Sequence, residues 1–300
     1  MPKDLQELPR LDDSLTYLYA EYCRVEQEEL SIALVDVKGR TPVPVASLSV
    51  LMLGPGTTVT HAAMRALAEN GCTVLWTGQD AVRMYAAGTG ETRKAYRLQH
   101  QARLVCDEES RIEVAWRMYE LRFGERMDRT GSLSKIRGAE GVRMKQVYRD
   151  AARRYGVPWG GRKYDRQNWN SGDPLNRALS AANACMYGIC HAAIVSGGYS
   201  PGLGFMHAGK QLSFVYDVAD LFKADISVPA AFIAVGESER DVESRTRHLC
   251  RRLFKEERLL KRILPTIDGL LDLPDPDPAL AGIDAGDAAK PAPLWEKLWE

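Results

Sequence analysis

The densest chemistry in the sequence lies in residues 204–223, GFMHAGKQLSFVYDVADLFK. His207 sits in a glycine-bracketed loop, and Asp217 and Asp220 fall on the apolar segment that follows. If that segment is helical, the aspartates share one face about one turn apart. Two carboxylates and an imidazole in apolar sequence are costly unless their charge is offset, and a divalent cation would offset it. The residues alone equally admit a bland arrangement, in which Asp217 caps a helix, Asp220 pairs with Lys223 and His207 is an ordinary loop residue. Upstream, Glu140 lies in RGAEG, between Gly138 and Gly141 and beside basic residues, where a helix would start or bend. A lone glutamate in a helix is ordinarily a solvent-facing charge; the flanking glycines and the downstream carboxylate–imidazole group favour a ligand. Metal-dependent phosphodiester chemistry needs such hard oxygen ligands, sometimes with an imidazole, and an open coordination position.

The elements that must position these groups divide the chain. Residues 14–53 read as short β-branched or aromatic strands broken by turns, with Pro42 and Pro44 suited to an edge or a strand exit. A turn at Pro55-Gly56, a cap at Thr58 or Thr60 and a stop at Asn70-Gly71 frame one helix. CTVLWTG and VRMYAAG read as the last strands. From Arg93 the apolar spacing turns helical and stays so, with Asp173-Pro174 opening a helix rich in small residues. The expectation is an α+β protein: an N-terminal β-rich domain over 1–87, an all-helical domain over 88–273, and a flexible Pro/Ala/Asp-rich tail over 274–300.

Composition narrows the partners. No run approaches the roughly 20 apolar residues of a membrane span, and MPKDLQELPRLDD lacks the apolar core of a signal peptide. The six cysteines are scattered without a CxxC pair, which fits reduced thiols in a cytoplasm. Net charge is zero, but 83–163 carries 19 Lys/Arg against 10 Asp/Glu, while residues 1–82 carry 6 against 11. Acidic ends flank a basic middle that would draw a polyanion in a salt-dependent way. Walker, GxGxxG and GxSxG motifs are absent, and LGPGTT lacks the lysine and spacing of a phosphate loop.

Two long stretches carry a resemblance. RGAEGVRMKQVYRDAARRYGVPWGGRKYDRQNWNSGDPLNRALSAANACMYG and GYSPGLGFMHAGKQLSFVYDVADLFK, with LGPGTTVTHAAMRALAENGCTVLWTG and AVRMY before them, closely resemble the CRISPR-associated adaptation integrase. This is the first of the two universal spacer-acquisition proteins, and the match is to the subtype I-E branch. It runs from about residue 14 to 272 and leaves the tail unmatched. The resemblance implies a homodimer formed through the β-rich domain, and a Mg²⁺ or Mn²⁺ held by Glu140, His207 and Asp220 with Asp217 supporting the site. It implies DNA contacts at Tyr22, Arg83, Arg137, Lys145, Arg162, Tyr164, Tyr187, Lys210, Tyr216 and Lys223. It further implies double-stranded DNA with single-stranded 3′ ends and CRISPR repeat DNA as substrates. The implied partner is the second universal adaptation protein, which bridges two integrase dimers. The implied reaction is insertion of captured DNA by 3′-hydroxyl transesterification. The competing expectation is a stand-alone nuclease acting on branched repair intermediates with the same centre; a third is a non-catalytic DNA scaffold whose carboxylates form ion pairs.

Overall fold

The computed structural model describes residues 17–29, 31–79, 84–88, 95–125, 129, 132–162 and 173–274. Eight strands precede eight of the nine helices among them. β1 (Tyr17–Ala20), β5 (Val50–Leu53), β7 (Thr73–Thr77) and β8 (Met84–Gly88) form one sheet in that order, parallel except for β8. β4 (Gly39–Val43), β3 (Ser31–Asp36), β2 (Arg24–Glu28) and β6 (Thr58–Val59) form the second. β4 pairs only with β3, so Pro42 does lie on an edge, where its missing N–H leaves no gap in the ladder.

β5 is buried at every residue, as a parallel strand covered on both faces must be. Alternate side chains point to opposite faces. Leu51 and Leu53 pack with Ala63 and Leu67 of α1 (His61–Glu69), whose N-cap is Thr60. Val50 and Met52 face the other way, into a core shared with Trp116, Phe205 and Phe214. The sheet is therefore a middle layer, and its second face is the floor on which the helices are laid.

The helical part opens with α2 (Tyr96–Cys106) and α3 (Glu108–Phe123). The sequence suggests one helical run here; the chain breaks it at Asp107, whose extended backbone and carboxylate cap Ser110 N at 2.8 Å. α3 closes on Gly124 in the left-handed region, φ 66°. α4 (Leu133–Tyr155) starts seven residues before Glu140, so Gly138 and Gly141 do not start it but lie within it. A Cβ at either glycine would meet nothing within 4 Å.

α5 (Pro174–Ser196) is the axis of this half, capped by Asp173 on Asn176 N at 2.8 Å. It corrects one expectation. Its 23 residues include a stretch of 18 with mean hydropathy 1.4, long and apolar enough to cross a membrane by composition. They are apolar because Ala178, Ala182, Met186, Cys190 and Ile194 are all buried among other helices. Around it lie α6 (Ser213–Phe222), a π-helical turn (Lys223–Ser227), α7 (Val228–Glu237), α8 (Val242–Glu256) and α9 (Leu259–Leu270).

Candidate active site

α6 is the element that shapes the site. Asp217 lies in its middle and is 3% exposed, so it is not a cap of its own helix. It instead holds the preceding loop by its backbone. Oδ2 accepts from Phe205 N at 2.6 Å and Met206 N at 3.0 Å. Oδ1 accepts from His207 N at 2.9 Å and from the His207 ring at Nδ1, 2.6 Å away. The loop can come this close because residue 204 is glycine. A Cβ there would stand 2.5 Å from the His207 carbonyl oxygen and 2.8 Å from Ser213.

The carboxylate settles the imidazole. Nδ1 carries the proton donated to Asp217, which leaves the Nε2 lone pair free for a ligand. The bond to Asp217 also raises the affinity of His207 for a second proton, with smaller contributions from Asp220 and Glu140. Burial pushes the Asp217 carboxyl above its usual range, against the pull of His207 and the amides.

Glu140 reaches the same place from α4. Arg122 of α3 donates to Glu140 Oε1 through Nη1, and that same nitrogen stands 3.6 Å from Asp220 Oδ2. Asp220 Oδ1 is paired with Lys223, whose Nζ donates to Tyr187 OH at 2.9 Å. Burial acts to raise the Asp220 carboxyl, but the Lys223 and Arg122 cations outweigh it and hold the group below its usual value. Glu140, Asp217 and Asp220 line one solvent-open cleft of about 300 Å³ with Met118, Tyr119, Arg122, Phe123, Met206 and Leu221.

The sequence-predicted residues fall into three groups. Glu140, Asp217, Asp220 and His207 are brought together, and several of the others join them. Tyr187 and Tyr216 meet edge to face at 4.9 Å, Tyr216 meets the His207 ring at 5.8 Å, and Lys210 Nζ lies 5.9 Å over the Tyr216 ring. Arg137 donates to the Met206 carbonyl. Lys223 is only 13% exposed and already engaged by Asp220 and Tyr187, the pairing that the bland arrangement anticipated. Elsewhere, Lys145 is exposed on α4, and Arg162 donates to Asn176 O at 3.0 Å and Ser180 Oγ at 3.0 Å beside the start of α5. Tyr22 lies in the β-rich part, 67% exposed. Its backbone has φ 51° and its N–H donates to Pro55 O at 2.9 Å. Its ring lies on Gly56, where a Cβ would come within 2.6 Å. Arg83 and Tyr164 lie outside the described residues.

Sequence reasoning missed Arg122. Its signal was a cation in the register of Ala115, Met118 and Tyr119, at the three- and four-residue spacing of a buried helix face.

Two carboxylates and an oriented imidazole nitrogen are the donor set of a hard or borderline divalent cation. Asp220 Oδ1 is taken by Lys223, while Oδ2 faces Arg122 at 3.6 Å, too far for a hydrogen bond. Among the described residues, no three His, Cys, Asp or Glu side chains stand closely enough to hold an ion as they are. Arg122 lies between two of the donors. The donor chemistry fits a metal, and closure around one requires Arg122 to yield.

Comparison with known proteins places this geometry. The family described as "CRISPR associated protein Cas1" matches residues 16–125 and 120–243. A Thermus thermophilus protein named CRISPR-associated endonuclease Cas1 2 is 50% identical over 297 residues, 98% of this chain and 90% of that protein. A Geobacter sulfurreducens protein named CRISPR-associated endonuclease Cas1 is 43% identical over 280 residues, 91% of each. The crystal structure of a TtCas1–DNA complex superposes with a TM-score of 0.81 at 52% identity, covering 89% of this chain and 100% of that one. The α+β order of strands and helices, and matches that run through both halves, carry one conclusion: the chain belongs to the CRISPR-associated Cas1 family.

Proposed function

We propose that this protein is a divalent-metal-dependent DNA endonuclease and integrase of CRISPR adaptation. It inserts captured DNA into the repeat array by 3′-hydroxyl transesterification. The observation that carries the reading is the meeting of Glu140 and Asp220, from separate helices, at Arg122, in the cleft where Asp217 orients His207. The endonuclease names of the relatives and the DNA in the TtCas1 complex support it.

Glu140, Asp220 and His207 Nε2 would hold Mg²⁺ or Mn²⁺; when bound, the ion supplies Lewis-acid neutralisation of the charge that builds on the attacked phosphate. The chain's own residues do the rest. Asp217 keeps His207 in the Nδ1-protonated tautomer, so the histidine acts as a neutral ligand rather than a base. Lys223 and Arg122 hold Asp220 ionised near neutral pH. The 3′-hydroxyl of the captured DNA attacks a phosphodiester at the repeat border. One P–O bond forms as another breaks; the attacking hydroxyl gives its proton to solvent, and the leaving 3′-oxygen of the repeat strand takes one from solvent to become a free hydroxyl. No nucleotide cofactor is consumed. A second attack on the other strand completes insertion, and water in place of the hydroxyl gives nicking.

Tyr22 is held proud of the surface, as a platform for the end of the captured duplex would be. Arg83, Arg137, Lys145, Arg162 and Lys210 contact phosphates without reading sequence. Tyr164, Tyr187 and Tyr216 receive the single-stranded 3′ end, and Lys223 lies between that end and the metal. Residues 1–87 form a homodimer, 88–273 carry the catalysis, and the tail over 274–300 serves either to dock the second universal adaptation protein or to flank the motif-recognition pocket, all in the cytoplasm. Two integrase dimers bridged by that partner set the span between active sites.

The test is product chemistry. With Mn²⁺ or Mg²⁺, a labelled duplex bearing 3′-hydroxyls and a repeat-containing plasmid, the protein with its partner yields joined half-site DNA. Asp220→Ala abolishes joining. Cleavage without joining would replace this reading with a stand-alone structure-specific nuclease. Joining that survives Asp220→Ala would make the carboxylates structural.

A further inference from the structure

Arg122 is the cation of the cleft wall, and its place between Glu140 and Asp220 does more than keep Asp220 ionised. Its side chain is 6% exposed, with the guanidinium 5.0 Å over the Phe123 ring. A single nitrogen, Nη1, faces both acids, bonding to Glu140 and standing 3.6 Å from Asp220 Oδ2. Its Nε is buried with no hydrogen bond. A guanidinium with an unmet buried donor is poorly served by hydrogen bonding, so the two carboxylates are what retain it. Lys223 sits on the other oxygen of Asp220. Two cations thus face Glu140 and Asp220, and most of the negative charge of the cleft is already offset.

That balance has a consequence for any further cation. A divalent ion drawn to Glu140 and Asp220 meets Arg122 already bonded to Glu140 and 3.6 Å from Asp220, and it adds two positive charges beside two cations already in place. Like charges at this range in a partly desolvated cleft repel strongly. Either the guanidinium lets go of the carboxylates or an anion must enter with the metal. Arg122 itself lines the cleft, with Glu140 and Asp220.

We infer that Arg122 competes with the divalent cation for Glu140 and Asp220, and that a DNA phosphate, by taking up the displaced guanidinium, couples metal binding to DNA binding. The inference rests on the metal reading above and adds to it a device that keeps metal affinity low until DNA is present. Arg122 acts as a positioning residue: it touches the ligands, and the reaction proceeds through them.

The experiment is calorimetric titration of Mn²⁺ into the full-length protein and its Arg122→Met variant, alone and with a short DNA duplex. The variant should bind Mn²⁺ more tightly, by about tenfold, the scale of one partly buried ion pair. It should melt lower without metal and gain more melting temperature from saturating Mn²⁺ than the wild type does. Adding DNA should tighten Mn²⁺ binding in the wild type and do so far less in the variant. Arg122→Lys keeps the charge without the fork; it should fall between the two, and it carries the test if Arg122→Met does not fold without metal. Equal or weaker Mn²⁺ binding by the Arg122 variants overturns the competition while leaving the metal site standing. If wild type and variants alike take up no Mn²⁺, and Glu140→Gln changes nothing, the metal reading falls and this inference with it.

Discussion

Replacing Asp217 by asparagine exchanges one atom and one charge, and the structure says which bonds can survive. Four donors converge on the carboxylate: the amides of Phe205, Met206 and His207, and His207 Nδ1. An amide side chain offers one accepting oxygen and one donating NH₂. With the NH₂ toward Phe205 and Met206, two backbone donors are orphaned. With the oxygen toward them, only the His207 amide is orphaned, and the ring adapts by accepting at Nδ1 and carrying its proton on Nε2. The second orientation costs less. One buried orphan amide costs about 1–3 kcal/mol, and the two surviving amide bonds weaken on losing charge assistance. Relief from burying a full charge offsets part of this. We expect a net loss of about 2 kcal/mol in urea unfolding.

A loss of that size leaves the variant folded, so metal titration reads the site alone. The favoured orientation places a proton on the nitrogen that should hold the metal. Mn²⁺ affinity should then fall about 10–100-fold, the scale seen when the group orienting a histidine ligand is changed. Wild-type Mn²⁺ affinity together with the expected loss of stability would show that Asp217 does not set the tautomer of His207. Unchanged stability would refute the amide network itself.

Other consequences can be measured on the same protein. Asp220→Ala leaves Lys223, 13% exposed, without its carboxylate, so urea unfolding should show a loss of about 3–5 kcal/mol, largely recovered in the Asp220→Ala/Lys223→Met double variant. In the metal-free protein the raised proton affinity of His207 contributes stability that is full below its usual value of 6.5 and is lost as pH rises through the raised folded value. Metal binding, which needs the neutral ring, should strengthen over that same interval; thermal melts and Mn²⁺ titrations against pH should move in opposite directions, and His207→Gln should flatten both. Gly204→Ala drives a Cβ to 2.5 Å from the His207 carbonyl oxygen; unfolding should show a loss of about 1–3 kcal/mol, and Mn²⁺ affinity should drop as the loop is displaced. Tyr22→Ala should weaken binding of blunt-ended duplex by about 1–3 kcal/mol while Tyr22→Phe should not, measured by anisotropy at fixed salt.

Much of the scaffold was legible because local rules and burial agree there. The fully apolar β5, the Thr60 cap, the Asp173-Pro174 start of α5 and the edge position of Pro42 each follow from a residue's own chemistry. The glycines around Glu140 were misleading as a helix start for an equally local reason: both sit at open positions inside α4, where a missing side chain costs propensity without ending the helix. The aspartates show the limit of periodicity. Spacing put Asp217 and Asp220 on one helical face, and helical they are. Yet Asp217 serves the loop before its own helix, and Asp220 serves Arg122 and Lys223. What separates their roles is the set of partners arriving from elsewhere, which no window along the chain contains.

Arg122 makes the same point from the other side. In sequence it is one of many cations in a basic stretch, and the ordinary fate of such a residue is a solvated surface. Only the packing of α3 against α4 and α6 turns its charge inward, onto two carboxylates from separate helices. Once there it alters what the acids can do. Glu140 and Asp220 without Arg122 would repel each other; with it their charge is opposed, and on the proposed reading a metal must compete. On the proposed reading the exposed cations of this stretch draw DNA, and Arg122, turned inward, is what would make the strength of the metal site depend on whether DNA has arrived.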